Sequence, residues 1–168
     1  KNCSWRMSAN IVVPADGATG VIACQGGNIA GWSIYLDTDG HATYLYNWFG
    51  HEHYVVRDPS VLSPGEQTIT VAFAYDGGFG QGGHAALIVD DAVVASARVE
   101  KTVPLVFSMS GETFDIGIDT GAPVGPYPHQ FPCTARINGV TLTRLDSPSD
   151  ATRAAMREGE FRASISTQ

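Results

Sequence analysis

Apolar side chains recur at every second position through most of this chain, and that alternation limits what it can fold into. In residues 5–13, Trp5, Met7, Ala9, Ile11 and Val13 alternate with Arg6, Ser8 and Asn10 until Pro14 ends the run. A period of two turns one face of an extended segment toward a core and the other toward solvent, as in a half-buried β-strand. The same reading applies to Val21–Cys24, Trp32–Leu36, 41–49 (rich in Tyr44, Tyr46, Trp48 and Phe49), Tyr54–Val56 and 67–75. It applies again to Ala85–Val89, 93–99, 103–109, 114–118 and 135–145. Turn signals separate these runs: Asp16-Gly17, Gly26-Gly27, Asp39-Gly40, Ser63-Pro64-Gly65 and Asp90-Asp91. About ten short strands spaced by turns predict an antiparallel β-sandwich or jelly roll.

Only the tail departs from this pattern. Ser147-Pro148-Ser149-Asp150 has the composition of a helix cap, and 151–163 carries Ala154, Ala155 and Phe161 at weakly amphipathic spacing. The chain therefore divides into a sandwich, residues 1–146, and a helical tail, 147–168. A core of this size is within reach of 168 residues, 43% of them hydrophobic.

Charge excludes whole classes of function. With 17 acidic against 10 basic residues the net charge is −7, so the chain lacks the clustered Lys and Arg that neutralise phosphates. Nucleic acid and anionic membrane surfaces are both disfavoured as partners. No apolar run approaches the roughly 20 residues that span a bilayer. Three cysteines (Cys3, Cys24 and Cys133) stand at no metal-ligand spacing. They read as free small hydrophobes or, for Cys3 and Cys133, as a bridge between terminal strands. Unpaired thiols and the lack of a leader segment favour the cytoplasm, and an opening inside a strand-like stretch suggests a piece of a longer protein.

Few residues look chemical. The Gly-rich stretch 76–83 lacks the Gly-Lys-Ser/Thr ending of a phosphate loop and precedes a hairpin, so it reads as a loop that turns or covers a neighbour. His51-Glu52-His53 places two imidazoles on one strand face, a spacing that suits a metal, with no third ligand indicated nearby. Glu112, Asp115 and Asp119 are oxygen donors suited to Ca²⁺. Strict alternation, however, sets Asp119 roughly 13 Å beyond Asp115 unless Gly117 bends the strand. The acids therefore read first as hydrogen-bond acceptors for the loop that follows, Asp119 taking the amides of Thr120, Gly121 and beyond. No Gly-x-Ser-x-Gly elbow is present, and the strands carry few inward-alternating Glu residues to supply the facing carboxylates of a glycosidase. The aromatic set Trp32, Tyr35, Tyr44, Tyr46, Trp48, Phe49 and Tyr54 must divide between the core and an outer face. Outward rings stack on sugars, aryl groups or protein.

Five stretches in order resemble one family. They are Gln25-Gly26-Gly27, Gly31-Trp32-Ser33, Tyr46-Asn47-Trp48-Phe49-Gly50, Phe73-x-Tyr75-Asp76-Gly77-Gly78 and the run from Glu112 through Asp119-Thr120-Gly121 to Pro123-Val124. Over residues 8–145 the chain resembles the C-terminal domain of large bacterial arylsulfatases. The resemblance implies a concanavalin-A-like, laminin-G-like sandwich that packs on the catalytic sulfatase domain of the same polypeptide and shapes substrate access. It implies Trp32, Tyr46, Asn47, Trp48, Phe49, Asp76 and Phe79 as contacts to that domain or to a glycan or aryl ligand. It implies no catalysis here, because no Cys or Ser begins a Cys/Ser-x-Pro-x-Arg motif, and no cofactor, with Ca²⁺ on the three acids in reserve. Asp90-Asp91 where the family pattern suggests Asp-Gly, and His51-Glu52-His53, depart from it. An independent lectin-like carbohydrate-binding module is the alternative, and a glycan-active sandwich enzyme a third reading.

Overall fold

A computed structural model describes residues 3–104, 107 and 114–145. They form two five-stranded antiparallel sheets. One has the order β10(Arg136–Leu145), β1(Ser4–Val13), β6(Gly65–Tyr75), β7(Gln81–Val89), β8(Ala92–Lys101). The other runs β5(Glu52–Val61), β4(His41–Trp48), β3(Gly31–Leu36), β2(Gly20–Gly26), β9(Phe114–Ile116). The expected sandwich is present. The predicted helix at 151–163 and the boundary at 146 lie outside the described residues, as does Glu112.

The alternation read from the sequence is the alternation of burial. Met7, Ala9, Ile11 and Val13 of β1 meet Ile69, Val71 and Phe73 of β6, together with Ile34, Leu36, Tyr44 and Tyr46 of the opposite sheet. Burying an apolar side chain of this size contributes about 1.5–3 kcal/mol, so these inward rows dominate stability. Three strands break the rule. Every residue of β3 is buried, and β2 and β4 are buried on both faces over most of their length. Their outer face is covered by the chain itself, since Val124, Tyr127 and Phe131 pack on Val21, Tyr35 and Leu45. The Pro- and Gly-rich stretch 121–132 is thus a lid on the sheet. Its return is close: a Cβ on Gly20 (φ +110°) would lie 2.0 Å from the Pro132 carbonyl oxygen.

Other boundaries differ for local reasons. β5 runs from Glu52 to Val61 through Pro59, which only an edge strand tolerates. Residues 114–118 give only a three-residue strand, because Gly117 (φ +84°) turns the chain away after Ile116. Of the strand predicted at 103–109, Val103 and Pro104 are not extended and 105–106 and 108–109 lie outside the described residues. No disulfide joins Cys3, Cys24 and Cys133. Cys3 precedes β1 at one end of the sandwich, whereas Cys133 bonds Gly117 near the other, about 30 Å away along a ten-residue strand. A bridge would need their Cα atoms within about 7 Å.

Asp90 (φ 46°) and Asp91 (φ 68°) make the two-residue turn that joins β7 to β8, with Val89 paired to Ala92. Both residues are left-handed, as this hairpin type demands. Asp90 has a compensation: its Oδ1 accepts the Thr68 amide at 2.8 Å. Among the described residues no hydrogen bond or ion pair offsets the strain at Asp91. Asp91→Gly is therefore expected to stabilise the domain by about 1 kcal/mol, seen as a melting temperature raised by about 2–4 °C.

Candidate functional site

The antiparallel registers bring the sequence-selected residues to one end of the sandwich. Strand β2 ends there at Gly26, β4 at Trp48, β6 at Tyr75 and β8 at Lys101, while β3, β5 and β7 begin there. The connecting loops therefore gather into one surface. Thr102 ties two of them, donating its amide to the Gly80 carbonyl at 3.3 Å and its hydroxyl to the Gln81 carbonyl at 2.7 Å.

Phe49 and Phe79 are the members of the set that face outward, while Trp48, at the end of β4, is half-buried and packs against the core. The Phe49 ring stands edge-on to Trp48 at 5.3 Å, and Phe49 is 41% exposed. Its left-handed backbone (φ 53°) is a strained conformation for a bulky residue, one that pushes the ring out at the β4–β5 turn. Lys101 Nζ lies 4.5 Å from the Trp48 ring centroid and 3.3 Å from Glu52 Oε1. Glu52 Oε2 accepts a short hydrogen bond from the Tyr54 hydroxyl. Burial and then that bond push the Tyr54 phenol up to about 12. Phe79 is 67% exposed at the tip of the Gly-rich loop. The loop itself is pinned, because the Tyr75 hydroxyl donates to the Gly78 carbonyl at 2.8 Å and accepts the Gln81 amide.

The other four expected contact residues hold the structure. Asn47 is buried; its Nδ2 donates to the carbonyls of Asn28 (3.0 Å), Val124 (3.0 Å) and Gly27 (3.3 Å), and its Oδ1 accepts the Gly50 amide (2.8 Å). Tyr46 accepts the Val103 amide at 2.8 Å, and burial raises its phenol well above the ordinary range. Trp32 is buried between Trp5 (5.5 Å) and Phe114 (5.9 Å). Asp76 pairs with Arg98 at 2.6 Å, which raises the guanidinium pKa further.

Two residues went unnoticed in the sequence. Ile29, in the β2–β3 loop, is 65% exposed beside this surface, and Lys101 reads as an ordinary strand-end charge until β8 is placed beside β5. Nothing local in the sequence signals either.

The acidic set assembles differently from the alternation argument. Because Gly117 bends the chain, ligand atoms of Asp115, Asp119 and Cys24 lie within 4.8 Å of one another, not 13 Å apart along a strand. The carboxylates serve the lid: Asp115 Oδ2 accepts the Thr120 amide (3.0 Å) and hydroxyl (2.6 Å), and Asp119 Oδ2 accepts the Val124 amide (3.0 Å) and the Tyr127 hydroxyl (2.7 Å). Thr120 thus turns to Asp115, contrary to the expectation for Asp119. With the Cys24 thiol beside the two carboxylates, the donor set among the described residues matches a softer ion than Ca²⁺. His51, Glu52 and His53 form no comparable three-ligand group among the described residues.

No family model and no curated protein sequence matches the chain. Solved structures do. The sialidase carbohydrate-binding module CBM40 of Ruminococcus gnavus, bound to α2,3-sialyllactose, is similar with a TM-score of 0.58 at 15% identity, over 92% of this chain and 82% of that one. Domains LG4-5 of the mouse laminin α1 chain give 0.52 at 17% identity, over 87% and 37%. A SAP-like pentraxin of Limulus polyphemus gives 0.50 at 12%, over 86% and 66%. The chain therefore spans just under two thirds of the pentraxin and little more than a third of the laminin fragment. At these identities the likeness concerns the fold, and it defines the class: a concanavalin-like, laminin-G-type β-sandwich.

Proposed function

We propose that this chain is a non-catalytic, lectin-like binding module whose ligand is a glycan held at the loop end. The observation that carries the reading is the pair of exposed rings Phe49 and Phe79 at the loop end, Phe49 standing against the half-buried Trp48 and the Lys101–Glu52 pair. Sugars are recognised by ring faces that stack on their apolar side and by charged or polar groups that take their hydroxyls. The same fold in the Ruminococcus gnavus module is found with sialyllactose bound, which makes sialylated glycans the first to try. The test is a titration of tryptophan fluorescence against a glycan panel. Saturable quenching by one glycan, weakened about 3- to 10-fold in Phe49→Ala or Phe79→Ala, is expected from the roughly 0.5–1.5 kcal/mol of a stacked ring.

A second reading has its own support, the ordered run of arylsulfatase-like stretches together with three apolar side chains at one end, Ile29, Phe49 and Phe79. In it the loop end seats on the catalytic domain of a sulfatase-type hydrolase in the same polypeptide, and this domain narrows the substrate entrance. A chain that answers to no glycan but binds a separately produced sulfatase catalytic domain would favour this reading over the first. Neither reading gives this chain a reaction of its own.

A further inference from the structure

We propose that the cavity between the two sheets, on the β10 side of the loop end, is a slot for a small aromatic anion. The ring would sit among Trp5, Trp32 and Phe73, with its charge against Arg144. This is independent of the glycan reading, which concerns the outer corner at Trp48.

The slot follows from how the sandwich closes. On the β5–β8 side the sheets meet, and Lys101 bonds Glu52 across the gap. On the β9–β10 side no comparable contact joins the sheets among the described residues. Ile116 and Leu142 (54% exposed) lie across the ladders from buried Ala23 and Met7, and Phe114 (38%) lies across from half-buried Gln25 and against Trp32, and yet all three remain accessible. Apolar surface left open between two sheets is unfavourable unless something occupies it.

The cavity at this opening has a volume of about 120 Å³. A dry cavity of about 150 Å³ lined by aliphatic and aromatic groups takes up one benzene. A single six-membered ring fits here if its substituent projects through the mouth. The walls suit a ring: Trp5 stands 5.5 Å from Trp32 and 6.0 Å from Phe73, each at an oblique angle that presents edges and faces to a third ring. They suit a sugar poorly. Besides Arg144 and Gln25, polar lining is confined to Cys3 and the Tyr46 hydroxyl, which already accepts the Val103 amide. Most hydroxyls of a pyranose would be buried without partners.

The charge has a sign. Arg144 is the ionised residue among those lining the cavity, it lies directly across the ladder from Trp5, and it makes no ion pair among the described residues. A guanidinium left unpaired at an apolar mouth, in a protein of net charge −7, is matched by a carboxylate or a sulfate ester on the ring.

The experiment titrates the whole chain with benzoate and, separately, with benzyl alcohol, following the three tryptophan indole N–H resonances. Benzoate is expected to shift Trp5 and Trp32 saturably, leaving Trp48 in place, and to bind about tenfold tighter than the alcohol. Arg144→Gln, at an exposed strand position, should remove that tenfold advantage and leave the weak binding of benzyl alcohol unchanged. The proposal is overturned if benzoate moves neither Trp5 nor Trp32 at any soluble concentration, which would also be the outcome if the chain's own residues fill the slot. It is equally overturned if Arg144→Gln binds benzoate as the native chain does. A shift confined to Trp48 would place the ligand at the outer corner instead.

Discussion

Asn47→Ala is expected to destabilise the domain by about 3 kcal/mol or more, the largest effect of any change at the loop end. The carboxamide joins four backbone groups from three segments: Gly27 and Asn28 of the β2–β3 loop, Gly50 of the β4–β5 turn, and Val124 of the lid. A buried acceptor or donor left unpaired costs about 1–3 kcal/mol, and alanine orphans several at once. A chain of this size loses about 2–4 °C of melting temperature per kcal/mol, so a fall of roughly 6–12 °C should appear in a thermal melt. Asn47→Asp is the sharper control. It retains the acceptor for Gly50 but turns a donor into a charged oxygen among three carbonyls, so it should be no better than alanine at neutral pH. If either variant melts within 2 °C of the native protein, the network is not what joins the three loops.

Asp119→Ala should come next, at about 2–3 kcal/mol, and with a different signature. Asp119 is buried, and its carboxylate holds the lid down through the Val124 amide and the Tyr127 hydroxyl. Burial and that carboxylate together keep the Tyr127 phenol far above its ordinary range, in keeping with its hydroxyl donating to Asp119. Without Asp119 the lid is expected to lift while the two sheets stay paired. Tyr35, whose ring lies 4.9 Å from Tyr127, would then be exposed, and an apolar dye should bind a protein whose strand content is unchanged. Asp119→Asn, which can still accept one bond, should fall between native and alanine. Melting in EDTA and in millimolar Ca²⁺ should give the same midpoint. A rise of several degrees with Ca²⁺, lost in Asp119→Asn, would mean that the carboxylates hold an ion and not only the lid.

The contrast between these residues and Trp48 explains how far the candidate site could be read in advance. Trp32, Tyr46, Asn47, Trp48, Phe49, Asp76 and Phe79 do share one end of the molecule. Their sequence neighbourhoods, however, do not distinguish a buried ring from a half-buried or exposed one. Trp32 and Trp48 both sit in alternating aromatic strands, yet one is buried against Trp5 and the other lies at a turn beneath Lys101. That difference depends on which strand stacks over which. Asp119 illustrates the same gap from the other side. Its role as a loop acceptor was legible in the sequence, but its partners were not, because Gly117 takes the chain out of the extended register on which the 13 Å estimate relied.

What the sequence determined by itself is most of the strands, the turns between them and the inward row of those with one solvent face, such as β1. Those follow from a two-residue period and from residues such as Asp39-Gly40 that favour tight reversals, and both are local properties. Tertiary structure alone decided that the 119–132 segment closes over the outer face of β2, β3 and β4, and that the sheets meet at β5–β8, with no comparable contact at β9–β10 among the described residues. The physical reason is range. Alternation states which face of a strand avoids water, but not what covers it, and Val124, Tyr127 and Phe131 reach Tyr35 and Leu45 from some eighty to a hundred residues away only after the sheets have formed.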